Sequence, residues 1–410
     1  MNNSSYKLLQ AIGVELEYMI VDRETLDVKP LADQVLKSVS GEYESEIEQG
    51  DIAWSNELAL HVLELKTNGP VTSLSGLPAK FQKNIHKIND ILTQFDARLM
   101  PSAMHPWMNP EQQLQLWPHE NNEIYNFFDR VFNCRRHGWA NLQSTHINLS
   151  FGNDEEFGRL HAAIRLILPI IPAIAASSPL KEGQLTGVLD SRLAVYSYNS
   201  ERIPSSTGKV IPERVFNRQD YEQVILQQIY HDLQPIDPEG ILRHEWANAR
   251  GCIARFDRGA IEIRLLDIQE TPKVDITIAA VVIAVIRALC DEKLSDIHQQ
   301  QLWEIDPLRD ILHECIESGG DAIIDDQQYL ETLGINDLQS CSALELWRHL
   351  ALRCKKDFDD ELKSVWDILM KHGCLSNRIR RELGPRPSRT IQYQVYEQLC
   401  DCLRNGEMFV

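Results

Sequence analysis

The chain has 410 residues, 43% of them hydrophobic and 25% charged, which is ample for one large globular domain or two and excludes general disorder. Sixty acidic residues against 41 basic ones give a formal charge of −19, which argues against nucleic acid and anionic membrane as main partners but leaves room for ATP in a cleft lined by Arg, Lys and metal. Nine scattered cysteines with no CxxC pair, and a polar stretch over residues 1–10 with no apolar signal core, predict a reducing, cytoplasmic setting.

The first predicted element is a strand at Gly13-Val14-Glu15-Leu16-Glu17-Tyr18-Met19-Ile20-Val21-Asp22. Apolar residues at 12, 14, 16, 18 and 20 alternate with others, the period of a half-buried strand. Glu15 and Glu17 therefore share one face, about 7 Å apart, where their charges repel unless water or a cation lies between them. Such an oxygen-rich pair suits Mg²⁺ or Mn²⁺ with phosphate oxygens completing the shell. A solvated sheet face is the bland alternative.

Residues 56–66 contain Glu57 and Glu64, whose spacing of seven sets them on opposite faces of a regular strand. Either a bulge intervenes or only one reaches a shared site, and Glu64, which follows an apolar run, is the better candidate. His61, on an apolar stretch, reads as a core histidine. The next clear strand is 141–152: Thr145, Ile147, Leu149 and Phe151 form one face, and Ser144, His146, Asn148 and Ser150 the other. Residues 155–176 form a helix that becomes apolar and is interrupted at Pro169 and Pro172.

A Ser-, Gly- and Thr-rich loop follows at 177–192, ending in Arg192, a candidate clamp for phosphate or carboxylate. A long loop at about 200–220 is a candidate lid. Residues 259–269 form a third strand in which Ile261, Ile263 and Leu265 alternate with Glu262 and Arg264. Thr271-Pro272 opens a buried helix at about 274–293, whose apolar stretch is too short to span a bilayer. Residues 291–410 read as a helical C-terminal region packed on a core of residues 1–290, with the basic stretch Arg378-Ile379-Arg380-Arg381 as a late contributor to the site. Cys400-Asp-Cys402 is too isolated to read as a metal site.

The fold class that follows is α+β, with a curved antiparallel sheet. Glu15, Glu17, His146, Asn148, Glu262 and Arg264 line its concave side. Carboxylates, an imidazole and an amide carbonyl bind divalent cations, and the Arg264 fork meets anionic oxygens. Each strand alone also fits a hydrated outer face; the three together favour a site.

In order, these segments resemble the carboxylate–amine ligase family, the type 2 glutamate–cysteine ligases. The resemblance rests on Gly13-Val14-Glu15-Leu16-Glu17, Glu57 with His61-Val62-Leu63-Glu64, and Met104-His105-Pro106-Trp107. It continues through Thr145-His146-Ile147-Asn148, the 177–192 loop and Ala260-Ile261-Glu262-Ile263-Arg264-Leu265-Leu266-Asp267, over about residues 11–290. It implies a fold like the catalytic domain of glutamine synthetase: an antiparallel sheet curved into a funnel with flanking helices. It also implies ATP and Mg²⁺ (or Mn²⁺) as cofactors, and the joining of a carboxylate, the glutamate γ-carboxylate first, to an amine such as cysteine through an acyl phosphate. Glu15, Glu17, Glu64, His146 and Glu262 would then bind metal, and Arg192 and Arg264 would contact nucleotide or acyl phosphate. Many members carry His-x-His where this chain has His146-Ile147-Asn148, so the role of Asn148 toward the cofactor is open. A metal-dependent amide or ester hydrolase and a silent nucleotide-binding relative are the rival readings. Small-molecule substrates are the expected partners, and a homodimer is the base-rate expectation for assembly.

Overall fold

Eight strands in chain order carry the architecture of the computed structural model, which describes residues 6–354 and 360–410. They are β1 (Ile12–Asp22), β2 (Glu46–Gln49), β3 (Ile52–Asn56), β4 (Val62–Thr67), β5 (Ala97–Met100), β6 (Ser144–Ser150), β7 (Cys252–Arg255) and β8 (Ala260–Asp267). They form one antiparallel sheet ordered β2–β3–β4–β1–β6–β8–β7, with β5 also paired to β1. The first five residues of the polar N-terminal stretch lie outside the described residues.

The alternation read from β1, β6 and β8 decides which face goes inward. Val14, Leu16, Tyr18 and Ile20, with Ile147, Leu149, Ile261 and Ile263, are fully buried in one apolar cluster. Helices Leu77–Thr93, Asp154–Ile167 and Pro272–Cys290 contribute the other side of that cluster. The opposite face of these strands and of β4 carries Glu15, Glu17, Glu64, His146, Asn148 and Glu262. A register shift between Ile263 and Leu266 marks a bulge in β8, a device that bends a strand and deepens a sheet's curvature. The α+β reading holds: a large antiparallel sheet, helices packed on it, and a helical C-terminal region.

Local chemistry explains the helix limits. Asn153 caps Asp154–Ile167 by accepting from the Glu156 N–H at 2.9 Å, and three acidic residues follow in its first turn. Pro169 and Pro172 then break it into a 3₁₀ turn, Leu168–Ile170, and a short helix, Pro172–Ala175. Pro272 stands in the first turn of Pro272–Cys290, where its missing N–H costs nothing. Among the described residues no helix is long and apolar enough to cross a membrane.

The C-terminal helices are tied to the rest by buried polar bonds. Trp347 donates its indole N–H to the Ile170 carbonyl at 2.7 Å, and the Tyr329 hydroxyl donates to Leu166 at 2.6 Å. Arg378 pairs with Glu270 in the interior and donates to the Phe409 carbonyl at 2.6 Å. All nine cysteines are buried, including Cys400 and Cys402.

One expectation fails here. The segment at about 200–220 is no lid, because Ile203, Val210, Ile211 and Val215 are buried in the main core. Arg250 locks it further, with Nε 2.6 Å from Glu213 and a bond to the Ser205 carbonyl at 2.9 Å. The sequence showed few regular elements there, but apolar residues at irregular spacing pack as well as periodic ones.

Candidate active site

Cross-strand register builds the site. In antiparallel strands, directly opposed residues point to the same face. Glu15 stands opposite Lys66 on β4 and opposite His146 on β6, and Glu17 stands opposite Glu64. Glu262 on β8 faces Asn148 on β6, which in turn faces Gly13 on β1. A Cβ at Gly13 would sit 3.2 Å from the Asn148 Cβ, so the glycine allows the two strands their close approach at this point.

His146 is the hub. Its Nδ1 lies 2.9 Å from Glu15 and 3.9 Å from Glu262, and its Nε2 lies 3.8 Å from Glu17 and 2.8 Å from the Ser144 hydroxyl. Ligand-capable atoms of Glu15, His146 and Glu262 all fall within 4.8 Å of one another, as do those of Glu17, Glu64 and His146. Two oxygen-rich sets therefore share one imidazole. That donor chemistry fits Mg²⁺ or Mn²⁺ better than a histidine-rich zinc site.

The electrostatics follow from burial and proximity. Burial alone would lower the His146 imidazolium, but the Glu17 and Glu15 carboxylates outweigh it and push it up to about 9. For Glu15, burial works upward, yet the bond and charge of His146 and the charge of Lys66 bring it down to about 2. Burial and the Glu15 charge push Glu64 up to about 7, against Lys66 at 3.2 Å and a Ser55 hydrogen bond at 2.7 Å. Glu17 accepts from the Ser144 N–H at 2.7 Å and its hydroxyl at 2.9 Å.

Glu57 and Glu64 both reach the site, and the physical reason corrects the one-strand reading of 56–66. The chain leaves β3 at Asn56, turns, and enters β4 at Val62, so the two residues are not on one strand at all. Glu57 lines the cavity, and burial together with the Glu17 and Glu64 charges raises its carboxyl well above the usual range. His61 is a core residue, bonded to the Ala140 carbonyl at 2.9 Å, and burial lowers its imidazolium to about 4.

Arg264 is placed on the cavity, its Nε 3.1 Å from Glu262, which Arg255 also approaches at 3.4 Å. Arg192 lines the same cavity but is held from behind. Its Nε donates to Asp267, and its terminal nitrogens donate to the Arg264 carbonyl at 3.3 and 3.4 Å. Asp267 also accepts from the Ser177 N–H at 2.7 Å and the Ser178 hydroxyl at 2.9 Å. The 177–192 loop is thus closed onto the end of β8, and Asp267 is a residue that sequence reasoning quoted without giving it a role. Asn148 donates its amide to Glu15 at 3.0 Å. Arg378, Arg380 and Arg381 line neither chamber described next, because Arg378 is spent on Glu270 and Phe409 and Arg381 on the His372 carbonyl at 3.0 Å.

The cluster stands between two chambers. One, of about 540 Å³, is lined by Glu17, Glu57, His146, Arg192 and Arg264, together with aromatic and aliphatic side chains. The other, of about 620 Å³, is lined by Glu15, Glu46, Lys66, Asn148, Asp257 and Arg258 and by Gly13, Gly69 and Gly259. The aromatic side chains come from distant segments, and no local pattern marks them.

The profile of the glutamate–cysteine ligase family 2 matches residues 11–379, well beyond the motifs legible to about residue 290. A protein of Archaeoglobus fulgidus, described only as uncharacterized, is 31% identical over 402 residues, spanning 97% of this chain and 100% of that one. A protein of Rubrobacter xylanophilus with the provisional name glutamate–cysteine ligase 2-3 is 25% identical over 189 residues, 45% of this chain and 48% of the relative. In three dimensions the chain resembles PafA, solved in complex with the prokaryotic ubiquitin-like protein Pup whose ligase it is. That likeness has a TM-score of 0.50 at 11% identity and covers 94% of this chain and 72% of the other, a likeness of fold. With nine tenths of its length matched by the family profile, the chain belongs to the glutamate–cysteine ligase family 2.

Proposed function

We propose that the protein is an ATP- and Mg²⁺-dependent carboxylate–amine ligase, with the glutamate γ-carboxylate as the first candidate donor and an amino compound, cysteine among them, as acceptor. The observation that carries this reading is the pair of three-ligand sets sharing His146, set between two chambers. Family membership supports the ligase class, and the likeness to a ligase fold agrees with it.

Glu15, Glu17, Glu64, His146 and Glu262 would hold the cations. Bound there, Mg²⁺ or Mn²⁺ supplies charge neutralisation and alignment for a transferring phosphoryl group. The chamber with Lys66, Arg258 and three glycines offers the nucleotide close backbone approach, beside a Lys66 paired to Glu46 and Glu64 and an Arg258 near Asp257. A substrate carboxylate oxygen attacks the γ-phosphorus, the bond to ADP breaks, and an acyl phosphate results. The amine nitrogen then attacks the acyl carbon, the C–O bond breaks, inorganic phosphate leaves, and the nitrogen sheds a proton. Arg264 presents its fork to the anionic oxygens, and Asp267 holds Arg192 beside it. Positioning and electrostatics supply the catalysis, and no nucleophilic side chain is required. Glu15, Lys66 and Asn148 face one chamber and Glu17, Glu57 and Arg264 the other, so the two substrates meet across the cluster.

The test is an ADP-release screen with Mg²⁺, crossing carboxylates with amines. ADP formation that requires both a carboxylate and an amine is the expected result. Ester or amide cleavage without ATP, or ATP binding with no amine-dependent ADP release, would overturn it.

A further inference from the structure

Leu58, Ile124, Tyr125, Phe128, Trp139 and Trp246 form one wall of the 540 Å³ chamber, and every one of them is only half-buried. Six large apolar side chains from four distant segments converge on a single space, where soluble proteins normally bury such groups against each other. The rings are already ordered: Phe128 packs on Trp246 at 5.3 Å and on Trp139 at 5.5 Å, and His244 stacks behind Trp246 at 5.5 Å. The Trp139 indole N–H donates to the Asn199 carbonyl at 3.2 Å and the Tyr125 hydroxyl accepts from Asn56 at 3.0 Å. What the wall offers the chamber is ring faces and aliphatic carbon.

Charge decides what such a wall would hold. The aromatic wall continues directly into Glu57 and Glu17, and the Tyr125 hydroxyl is pushed up to about 12 by burial and by the nearby Glu57 carboxylate. Glu17 and Glu57 take up an amine or ammonium nitrogen at the end of the wall, while Arg192 and Arg264 in the same chamber meet the anionic acyl oxygens. Lys66, Arg258 and the glycines that let a backbone come close to a nucleotide lie across the cluster, in the other chamber. The chamber volume also falls in the range of about 300–1,000 Å³ that holds drug-sized ligands, more than a three-carbon amino acid needs.

We infer that the acceptor is an amine bearing an aromatic or bulky apolar group, with its ring or branched chain on the Phe128–Trp139–Trp246 wall and its nitrogen toward Glu57 and the acyl centre. This rests on the ligase reading for its chemistry, but the wall and its preference for such amines do not.

Two measurements separate the two. The first is titration of the full-length protein with 2-phenylethylamine and with cysteine, followed by intrinsic tryptophan fluorescence. The wall predicts saturable quenching by phenylethylamine at concentrations about tenfold or more below any response to cysteine. The second is kcat/KM by ADP release for an amine series, in the wild type and in Trp246→Phe and Trp246→Ala. Aromatic amines should exceed cysteine about tenfold or more, Trp246→Phe should keep most of that ratio, and Trp246→Ala should collapse it through the amine KM. A preference for small amines, or a Trp246→Ala defect confined to the KM for ATP, would overturn the inference and assign the wall to the adenine ring. Saturable quenching without ADP release from any pair would sink the ligase reading and leave the amine site standing.

Discussion

His146 and Glu15 stand in register on neighbouring antiparallel strands, with Nδ1 2.9 Å from the carboxylate oxygen. The second ring nitrogen of His146 faces Glu17, so one imidazole ties together the two sets of cation-binding side chains. Without a cation, the imidazolium proton and the carboxylates compensate each other. A bound cation takes over that compensation, and the imidazole must give up its proton to become a ligand.

Proton release on metal binding is the direct consequence. At pH 7 the metal-free His146, raised to about 9, carries its proton, and Glu64, raised to about 7, is about half protonated. Mg²⁺ or Mn²⁺ should therefore displace about one proton or more at pH 7, with affinity rising toward pH 9 and release fading above it. Calorimetric titrations in two buffers of different ionisation heat measure this, and equal apparent heats in both would contradict it.

Glu15→Gln and Glu17→Gln should each lower turnover at least about a hundredfold at ordinary Mg²⁺, since each removes a charged donor from one of the two sets. High Mn²⁺ should restore part of the loss. Near-normal kinetics in both variants would refute the metal assignment.

Arg264→Lys should reduce kcat/KM about tenfold to a hundredfold, because an ammonium can replace neither the fork nor its contact with Glu262. Steady-state kinetics decide it. Full activity would mean that Arg264 serves only as a counter-charge.

Asp267→Ala leaves the interior Arg192 guanidinium without its carboxylate, and both side chains are almost wholly shielded from solvent. Loss of one partner of such a pair should cost about 3–5 kcal/mol of stability. Urea unfolding of the variant measures it, and a change below about 1 kcal/mol would mean that water enters the site freely.

Asp275 lies inside the apolar helix Pro272–Cys290, accepting from the Thr145 hydroxyl at 2.7 Å and the Gln269 N–H at 3.0 Å. Burial pushes its carboxyl from 3.8 up to about 8, so the folded chain holds a proton that the unfolded chain has lost over that interval. Its contribution is greatest at acidic pH and is lost as the pH rises toward 8. Asp275→Asn keeps the acceptor oxygen and removes the ionisation, so its Tm relative to the wild type should climb between pH 5 and pH 9. A Tm difference that stays flat across that range would rule out a titrating Asp275.

Sequence alone reached the cluster because a strand's two-residue period is local. Glu15 with Glu17, His146 with Asn148, and Glu262 with Arg264 each declare a polar face without reference to any other segment. The same logic failed at 56–66, where a turn hidden in an apolar run splits Glu57 from Glu64, and at 200–220, where irregular spacing concealed a packed segment. Asp267 was visible as the last residue of a strand, but its partners Ser177, Ser178 and Arg192 lie about 75–90 residues away.

By itself the sequence determined the α+β class and the polar faces of three strands, which depend on short-range pattern, and the family resemblance, which rests on the order of short motifs along the chain. Only the tertiary structure decided that Glu17 opposes Glu64, that His146 serves two sets of ligands, and that Tyr125, Phe128, Trp139 and Trp246 share a wall with Glu57. Register and convergence are set by long-range pairing and by burial. Burial also moves the charges of Glu57, Glu64 and His146 away from their ordinary values, and no local pattern encodes how far a side chain will stand from water.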